Sequence, residues 1–309
     1  MDYAKVFETM INETQKYLEN NNLWAMILGI SGGIDSTVTA AICHEVEKRN
    51  PDLKFIGISL PCTSNSIDEN DSAQKCLKAF CKENQYYTEN LQKEYMLMRA
   101  TCSQRHLMTT IGQGNIKARL RMMILYNEAN YFSGCVMDTD NLTEHYLGFF
   151  TIHGDVADLN PIGGLWKHEI YELARWLHDE YYQAPFGPDG DKHYALEYAL
   201  NITPTDGNGV NNLGDMGQIA PQFAHDNNYE AYKKVDDIIQ TYLEYRGHHP
   251  EEYQIAIDEL HKKYPPLVDN DYVVQDSVKE VISRIKRTEY KRQRLPIIPE
   301  KLTRQNLNL

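Results

Sequence analysis

The chain has 309 residues, of which 42% are hydrophobic, and a formal net charge of −13. This length and composition support a full hydrophobic core, in one large domain or in one domain with an appendage, and exclude disorder throughout. The negative charge disfavours sequence-independent nucleic-acid binding through a broad basic surface.

The sequence carries no signal for a membrane location. Its longest apolar stretch, residues 23–30, is far shorter than the roughly 20 residues that a membrane span needs. The chain starts with Met1-Asp2-Tyr3 and shows no basic-then-apolar leader. The six cysteines form no C-x-x-C pair, which favours reduced structural thiols over disulfides or a zinc site. We therefore expect a soluble, cytoplasmic protein.

Hydrophobic periodicity predicts alternating helices and strands in the first part of the chain. The predicted helices cover residues 4–19, 36–48, 69–83 and, with Asn115 as N-cap, 115–130; the predicted strands cover 23–30, 55–60, 85–88 and 135–137. Strand, crossover helix and strand imply a parallel sheet, so we expect a doubly wound α/β fold. Its ligands should lie at the carboxyl ends of the strands.

The pattern changes after about residue 180. A helix is predicted at 168–178, followed at 183–227 by a Gly- and Pro-rich segment that we interpret as an irregular functional lid. Helices are expected near 229–244, 251–263 and 273–289, and a basic tail runs from Arg284 to Arg294. We expect a single domain over 1–309, with its α/β core at about 20–180 and a helical C-terminal extension.

The most informative motif is Ser31-Gly32-Gly33-Ile34-Asp35-Ser36, between the first strand and the second helix. Glycines let backbone N–H groups approach phosphate oxygens, and a helix N-terminus adds partial positive charge. A carboxylate beside such a nest repels phosphate unless a divalent cation lies between them, so Asp35 implies Mg²⁺. No Lys follows the glycines, which excludes the G-x-x-x-x-G-K-[ST] loop. The alternative is a simple Gly-Gly turn before an ordinary helix.

Three further groups of residues can carry chemistry, and each has a structural alternative. Lys117 and Arg121 share one helix face with Arg119 roughly opposite, as in an anion site or a solvated basic face. The run from Asp138 to Glu144 supplies three carboxylates after a strand, as in a metal site or an acidic helix cap. Lys167 precedes a helix, where a single lysine is commonly a surface residue.

The motif resembles the S-G-G-x-D-S loop of the ATP pyrophosphatases, and the wider series of residues resembles ammonia-dependent NAD⁺ synthetase. The matching residues follow the family's order and lie at 29–36, 60–61, 68, 71–73, 114–122, 139, 144, 148–151, 154–155, 160–161, 167 and 288–292. The resemblance implies a Rossmann-like fold of the adenine nucleotide alpha hydrolase type. It also implies a ligase that uses ATP and ammonia to convert deamido-NAD⁺ to NAD⁺, AMP and pyrophosphate through an acyl-adenylate.

The resemblance assigns roles by position. Asp35 and Glu144 would hold Mg²⁺, and Asp35 and Lys167 would be catalytic. The deamido-NAD⁺ contacts would be Arg119, Asp158, Tyr290 and Lys291. The ATP contacts would be Gly29, Ile30, Ser31, Gly32, Gly33, Ile34, Asp35, Ser36, Thr139, Lys167 and Thr205. The family is homodimeric, and because no glutaminase domain precedes the loop, we expect free ammonia or ammonia delivered by another protein as the nitrogen donor.

Three positions depart from the family pattern. Asp138 stands where the family usually has Gly, Ile152 where it has Lys, and Tyr290 where it has His. Ile152 and Tyr290 affect the dinucleotide side. Two other functions remain: a tRNA-modifying adenylase, which would need a basic surface and reactive cysteines, and an ATP-binding regulatory module.

Overall fold

The computed structural model describes residues 1–62, 65–104, 106–187, 189–205, 214–269 and 272–292. Its centre is a parallel sheet in the order β3-β2-β1-β4. The strands are β1 (Ala25–Gly29), β2 (Lys54–Ser59), β3 (Tyr86–Thr88) and β4 (Cys135–Met137). The doubly wound α/β prediction is confirmed.

Helices cover both faces of the sheet and build the C-terminal part. In the N-terminal part they are α1 (Tyr3–Asn20), α2 (Ile34–Arg49), α3 (Ile67–Phe80), α4 (Gln92–Ser103), α5 (Thr110–Tyr131) and α6 (Leu142–Leu147). The later ones are α7 (Lys167–Trp176), α8 (Gly190–Asn201), α9 (Met216–Ile219), α10 (Asn228–Tyr245), α11 (Pro250–Lys263) and α12 (Ser277–Arg287). A short hairpin, β5 (Leu267–Asp269) and β6 (Tyr272–Gln275), precedes α12.

The central strand β1 divides the core into two layers. Met26 and Leu28 pack into the layer formed with α1, α2 and α7, whereas Ala25 and Ile27 pack into the layer formed with α5. Side chains alternate across a strand, so a short run that is apolar at every position is buried on both faces. This explains why residues 23–30 read as a continuous apolar stretch.

The strand order reverses between β1 and β4. The chain proceeds from β1 to β2 and β3 on one side, then crosses back to place β4 on the other side of β1. Helix connections leave both strands in opposite directions at such a point and open a crevice at their carboxyl ends. The loop after β1 and the run after β4 therefore face each other.

Two sequence-based predictions about helices are wrong. Helix α5 begins at Thr110 rather than at Asn115, because the Thr109 hydroxyl caps it by accepting from the Gly112 N–H at 3.0 Å. The segment 183–227 is not irregular throughout, because α8 packs its buried residues Ala195 and Leu196 into the core beside α2 and α3. Residues 206–213 of that segment lie outside the described residues.

Other predicted helix boundaries also differ from the observed ones. The helix expected at 273–289 begins only at Ser277, because the preceding residues form β6. Helices α4 and α6 were not predicted, and both are short or weakly amphipathic. No helix in the described part of the chain combines the length and apolar character that crossing a bilayer requires.

Candidate active site

The loop of residues 31–36 lies at the carboxyl end of β1 and leads into α2, whose N-cap is Gly33. The Gly33 N–H donates to Ser31 Oγ at 3.2 Å, and the Ser36 hydroxyl donates to the Gly33 carbonyl at 3.0 Å. The two serine oxygens lie 3.1 Å apart. First-turn N–H groups of a helix have no intrahelical partner and carry partial positive charge, so this loop can bind an anion.

Gly32 locks the loop against α3. Its φ is +89°, and a Cβ there would lie 2.3 Å from the Glu69 carbonyl oxygen and 2.8 Å from the Ala73 nitrogen. The Ser72 hydroxyl donates to the Gly32 carbonyl at 2.7 Å. Only glycine combines this left-handed conformation with such a close backbone approach. Gly32 is therefore required by this loop and is not part of a generic turn.

Asp35, Glu144 and Lys167 meet beside this loop although they are far apart in the sequence. The Lys167 ammonium donates to the Asp35 carboxylate and, at 3.4 Å, to Glu144 Oε1. The lysine side chain is 2% exposed and each carboxylate is 16% exposed. The three residues lie in the first turns of α2, α6 and α7, so three helix N-termini converge here. Their partial positive charges favour bound anions.

Asn141 orients both carboxylates. This buried N-cap of α6 donates from Nδ2 to Asp35 Oδ1 at 3.0 Å, and its Oδ1 accepts from the Glu144 N–H at 3.0 Å. In return Glu144 Oε2 accepts from the Asn141 N–H at 3.1 Å, which completes a capping box. The helix cap and the site are thus the same structure. Asn141 was not among the predicted site residues, although the Asn-x-x-Glu spacing after a strand was its signal.

The burial of this cluster sets its protonation. Burial raises the pKa of Glu144 to about 7; the Lys167 ammonium opposes the shift and the Asp35 carboxylate adds to it. Burial alone would lower the pKa of Lys167, but Asp35 and Glu144 together raise it well above its usual value. Lys167 is therefore charged at neutral pH, whereas Glu144 titrates near neutrality.

A cavity of about 540 Å³ opens above the cluster. This volume is typical of small-molecule sites. On the nucleotide side its lining includes Gly29, Ile30, Ser31, Gly33, Ile34, Asp35, Ser36, Thr139, Glu144, Lys167 and Thr205. Gly32 lies behind that surface. The Thr205 hydroxyl donates to the Glu69 carboxylate, which holds Thr205 at the cavity wall.

The opposite side of the cavity includes Tyr290 and Lys291. Tyr290 is 52% exposed. The Lys291 ammonium donates to the carbonyls of Gly148 at 2.8 Å and Phe150 at 2.6 Å. Burial and the nearby Arg284 guanidinium lower the pKa of Lys291. These contacts fasten the C-terminal segment to the loop after α6, and they place two predicted acceptor-side residues at the cavity.

Arg119 and Asp158, two other predicted acceptor contacts, do not line this cavity. Arg119 is exposed, and its Nη2 donates to the Ile152 carbonyl at 3.2 Å. Asp158 accepts from the Tyr126 hydroxyl at 2.8 Å and from the Val136 N–H at 3.0 Å. Both residues lie on the outer side of α5 and its neighbouring loop.

Arg121 is the α5 arginine that reaches the cavity. Its Nε donates to the Leu60 carbonyl at 2.9 Å and its Nη2 to Asn65 Oδ1 at 3.0 Å. Lys117, one turn earlier, is buried, which excludes the solvated basic face for this residue. The resemblance to the family assigned the acceptor contact to Arg119. The helical spacing had already placed Arg121 on roughly the opposite face of the helix.

Some of the carboxylates that follow β4 hold loops together, and others line the cavity. Asp138 accepts from the Asp140 N–H at 2.7 Å and from the Ala157 N–H at 2.8 Å, so this departure from the family pattern ties two loops together. Burial raises the pKa of Asp140 well above its usual value, and the neighbouring carboxylates add to the shift. Asp155, another cavity residue, has its pKa raised by burial and accepts from the Thr151 N–H at 2.5 Å.

The cysteines carry no obvious reactivity. Five of them are buried and only Cys102 is exposed. Burial raises the pKa of the Cys76 and Cys135 thiols to about 12. A thiol reacts as its thiolate, so these groups are inert at neutral pH.

Comparison with known proteins identifies the family. The family model described as NAD synthase matches residues 6–185, which is more than half of the chain. The chain belongs to the NAD synthase family. It is 34% identical over 184 residues to the NH(3)-dependent NAD(+) synthetase of Campylobacter jejuni subsp. doylei, covering 57% of this chain and 69% of that relative.

Two solved structures share the fold of this NAD synthase family member. NMN synthetase from Francisella tularensis superposes with a TM-score of 0.69 at 22% identity, covering 97% of this chain and 99% of that one. The NH3-dependent NAD synthetase of Campylobacter jejuni, in complex with nitrate, gives 0.62 at 23% identity, covering 97% and 100%. The NAD synthase model ends at residue 185, so α8 to α12 lie beyond it.

Proposed function

We propose that this protein is a ligase that amidates the nicotinate carboxylate of deamido-NAD⁺ with ammonia, at the expense of ATP, to give NAD⁺, AMP and pyrophosphate. The main support for the proposal is the Lys167 ammonium, which lies between Asp35 and Glu144 beside the loop of residues 31–36. The NAD synthase family match and the NH(3)-dependent NAD(+) synthetase relatives support the substrates.

The residues present fit a magnesium ion. Asp35 and Glu144 offer hard carboxylate oxygens on the cavity wall. No group of three or more His, Cys, Asp or Glu side chains in the described ranges is arranged to hold a metal. Mg²⁺ commonly uses one or two carboxylates and completes its octahedron with phosphate oxygens and water, so two protein ligands suffice for a metal that arrives with ATP. When bound, Mg²⁺ would neutralise charge on the phosphates.

The chain's own groups account for adenylation by positioning and charge. A nicotinate oxygen attacks the α-phosphorus, the bond to the β-phosphate oxygen breaks, and pyrophosphate leaves with the electron pair. The loop N–H groups and the Lys167 ammonium would hold the leaving pyrophosphate. Lys167 needs no deprotonation for this role, which agrees with its raised pKa.

Amide formation needs only a weak base. Ammonia attacks the acyl carbon, AMP leaves with the bonding electrons, and one proton is released. Asp155 lines the cavity and Asp158 does not, so Asp155 is the better candidate to accept that proton. Its raised pKa makes it a stronger base than an exposed aspartate.

The two alternatives are less well supported. A tRNA-modifying adenylase would need reactive thiols, but five of the six cysteines are buried and the net charge is −13. A regulatory ATP-binding module would need the phosphate loop alone. It would not require a buried lysine paired with two carboxylates, which is costly to maintain without a catalytic use.

We also propose that the working unit is a homodimer. The outer face of α5 exposes Met123 (63%) and Tyr126 (40%) beside Arg119 and Asp158. A second copy on this face would cover these side chains and bring two predicted dinucleotide contacts to an interface. Light scattering should then give a dimer mass, and Met123→Asp should shift it toward the monomer.

Substrate specificity depends on how much of the dinucleotide the site recognises. One subunit's cavity contains neither Arg119 nor Asp158, and a neighbour of similar fold is named NMN synthetase. The mononucleotide and the dinucleotide of nicotinate carry the same carboxylate. The mononucleotide is therefore a second candidate acceptor.

One assay separates these possibilities. AMP and pyrophosphate release should be measured with Mg-ATP and ammonium, using deamido-NAD⁺, nicotinate mononucleotide or neither as acceptor. We expect stoichiometric AMP, pyrophosphate and NAD⁺ with deamido-NAD⁺. A higher kcat/KM with the mononucleotide would move the assignment to that acceptor. Absence of AMP with every acceptor would overturn the proposed function.

A further inference from the structure

Asp236 is a fully buried carboxylate in the middle of α10, in the part of the chain beyond the family match. It does not line the cavity. A buried charge costs several kcal/mol of desolvation unless hydrogen bonds and an opposite charge compensate it. Its partners therefore indicate what it does.

Asp236 joins two other helices. Its Oδ1 accepts from the Thr143 hydroxyl on α6, and its Oδ2 accepts from the His168 N–H at 3.1 Å and contacts His168 Nδ1 at 2.7 Å on α7. The Thr143 oxygen in turn accepts from the Lys167 N–H at 2.8 Å. One carboxylate thus fixes α6 against the first turn of α7.

These contacts supply the N-terminal cap of α7. The N-cap residue Trp166 has no side-chain oxygen, so the N–H groups of Lys167 and His168 would lack partners within the helix. Thr143 and Asp236 accept them from outside. A carboxylate at a helix N-terminus is also favoured by the helix dipole. The start of α7 therefore depends on α6 and α10.

The imidazole of His168, whose side chain is 17% exposed, is the side-chain partner of Asp236 on α7. Burial lowers the pKa of this imidazole, but the hydrogen bond and charge of Asp236 outweigh that effect and the net shift is upward. Asp236 and His168 thus form a hydrogen-bonded pair next to the active site.

Both anchored residues adjoin active-site residues in the sequence. Thr143 precedes Glu144, and His168 follows Lys167. We propose that Asp236 is a positioning residue that holds Glu144 and Lys167 in the relative geometry needed to act on the same Mg-ATP. This inference rests on the proposed function and adds to it a residue that touches no substrate.

The test compares Asp236→Asn with Asp237→Asn in the full chain. Asp237 lies next to it on α10 but accepts from surface partners, Lys263 Nζ at 2.9 Å and the Tyr264 hydroxyl at 3.0 Å. For Asp236→Asn we expect kcat to fall by about tenfold or more and half-saturation to need more Mg²⁺, with KM for ATP changed less than about threefold. Asp237→Asn should match the wild type in these values.

Three further variants exclude a merely structural role. In a Lys167→Met background, Asp236→Asn should cost less than about threefold more in rate, because the relative placement of Glu144 and the Lys167 ammonium no longer matters once the ammonium is gone. If Asp236→Asn does not fold, Thr143→Val should lower kcat and Thr143→Ser should restore it, because only the hydroxyl is needed.

The outcomes are distinguishable. A folded Asp236→Asn variant with wild-type kcat and Mg²⁺ dependence overturns the inference, as does a full additional loss in the Lys167→Met background. Thr143→Val with normal kcat also overturns it. Wild-type protein that amidates no acceptor contradicts the proposed function itself and the inference with it.

Discussion

Replacing Lys167 with methionine removes the ammonium that the two active-site carboxylates share. Methionine has a similar length and can fill the space, which is 2% exposed and lies beside the Tyr232 ring. The Asp35 and Glu144 carboxylates would remain without their ammonium. The variant should therefore keep the fold while losing both a transition-state contact and an internal counter-ion.

The rate effect follows from the charge that develops on leaving pyrophosphate. Removing one preorganised donor from such a site costs about 3 kcal/mol, which corresponds to about a hundredfold in rate. Because the contact strengthens mainly as the bond to the leaving group breaks, acceptor binding should change little. The loss should appear in adenylate formation rather than in KM for the dinucleotide.

Stability should respond with a defined pH dependence. In the wild type, the pKa of Glu144 is about 7 in the folded protein. Without Lys167 the pKa rises further above its unfolded value, so the folded variant binds a proton more tightly than the unfolded chain over a wider pH range. Its free energy of unfolding then falls with rising pH by up to about 1.4 kcal/mol per pH unit and per proton. The deficit relative to wild type should grow from pH 6 to pH 8.

Rapid-quench measurement of pyrophosphate release, combined with thermal unfolding at pH 6 and pH 8, tests these expectations. Lys192→Met is the matched control, because Lys192 is also buried and paired, to Asp189 at 3.1 Å, but does not line the cavity. Pyrophosphate release from Lys167→Met within about threefold of wild type would refute the charge argument. A stability deficit that shrinks with rising pH would refute the assignment of Glu144 as the titrating partner.

Three more predictions concern the same site. Asp35→Asn should abolish turnover at any Mg²⁺ concentration while leaving the protein folded, because it removes a metal ligand and Glu144 still pairs with Lys167. Wild-type activity at limiting Mg²⁺ would contradict this. Gly32→Ala should eliminate ATP binding in calorimetry, because its Cβ would lie 2.3 Å from a backbone oxygen. Gly33→Ala is the control, since a Cβ there would meet only Ser31 Oγ at 3.4 Å. Equal ATP affinity of the two alanine variants would show that the steric argument fails. The Mg²⁺ concentration for half-maximal rate should rise as pH falls below about 7, because Glu144 must lose its proton to bind the cation. A half-maximal Mg²⁺ concentration that stays constant between pH 6 and pH 8 would exclude Glu144 as a ligand.

The sequence alone determined the features that depend on local backbone chemistry. The Ser-Gly-Gly-Ile-Asp-Ser run predicted a phosphate nest because its glycines and serines act within one turn, and the structure places that turn at the head of α2. Continuous apolar runs predicted buried parallel strands because strands covered on both faces have no polar side. Strand β4 was predicted at its observed residues, 135–137.

Local patterns were weaker where several features competed. Thr109 and Asn115 are both acceptable N-caps, and the pattern of α5 does not choose between them. Helix α8 was missed because flanking Gly and Pro residues obscured a short helix that forms by packing on α2 and α3. At α8 tertiary contacts overrode the local signal, whereas at α5 the local Thr109 cap decided between two local signals.

Only the tertiary structure decided which residues share the site. Asp35 and Lys167 are 132 positions apart, and nothing in their local sequences specifies the contact that the folded sheet creates. Arg121 rather than Arg119 reaches the cavity because α5 turns one face inward. Asp236 reads as an ordinary helix-surface acid, and its burial depends on where α10 packs. Chain order fixes local conformation, but the juxtaposition of distant charges exists only once the layers have packed around the sheet.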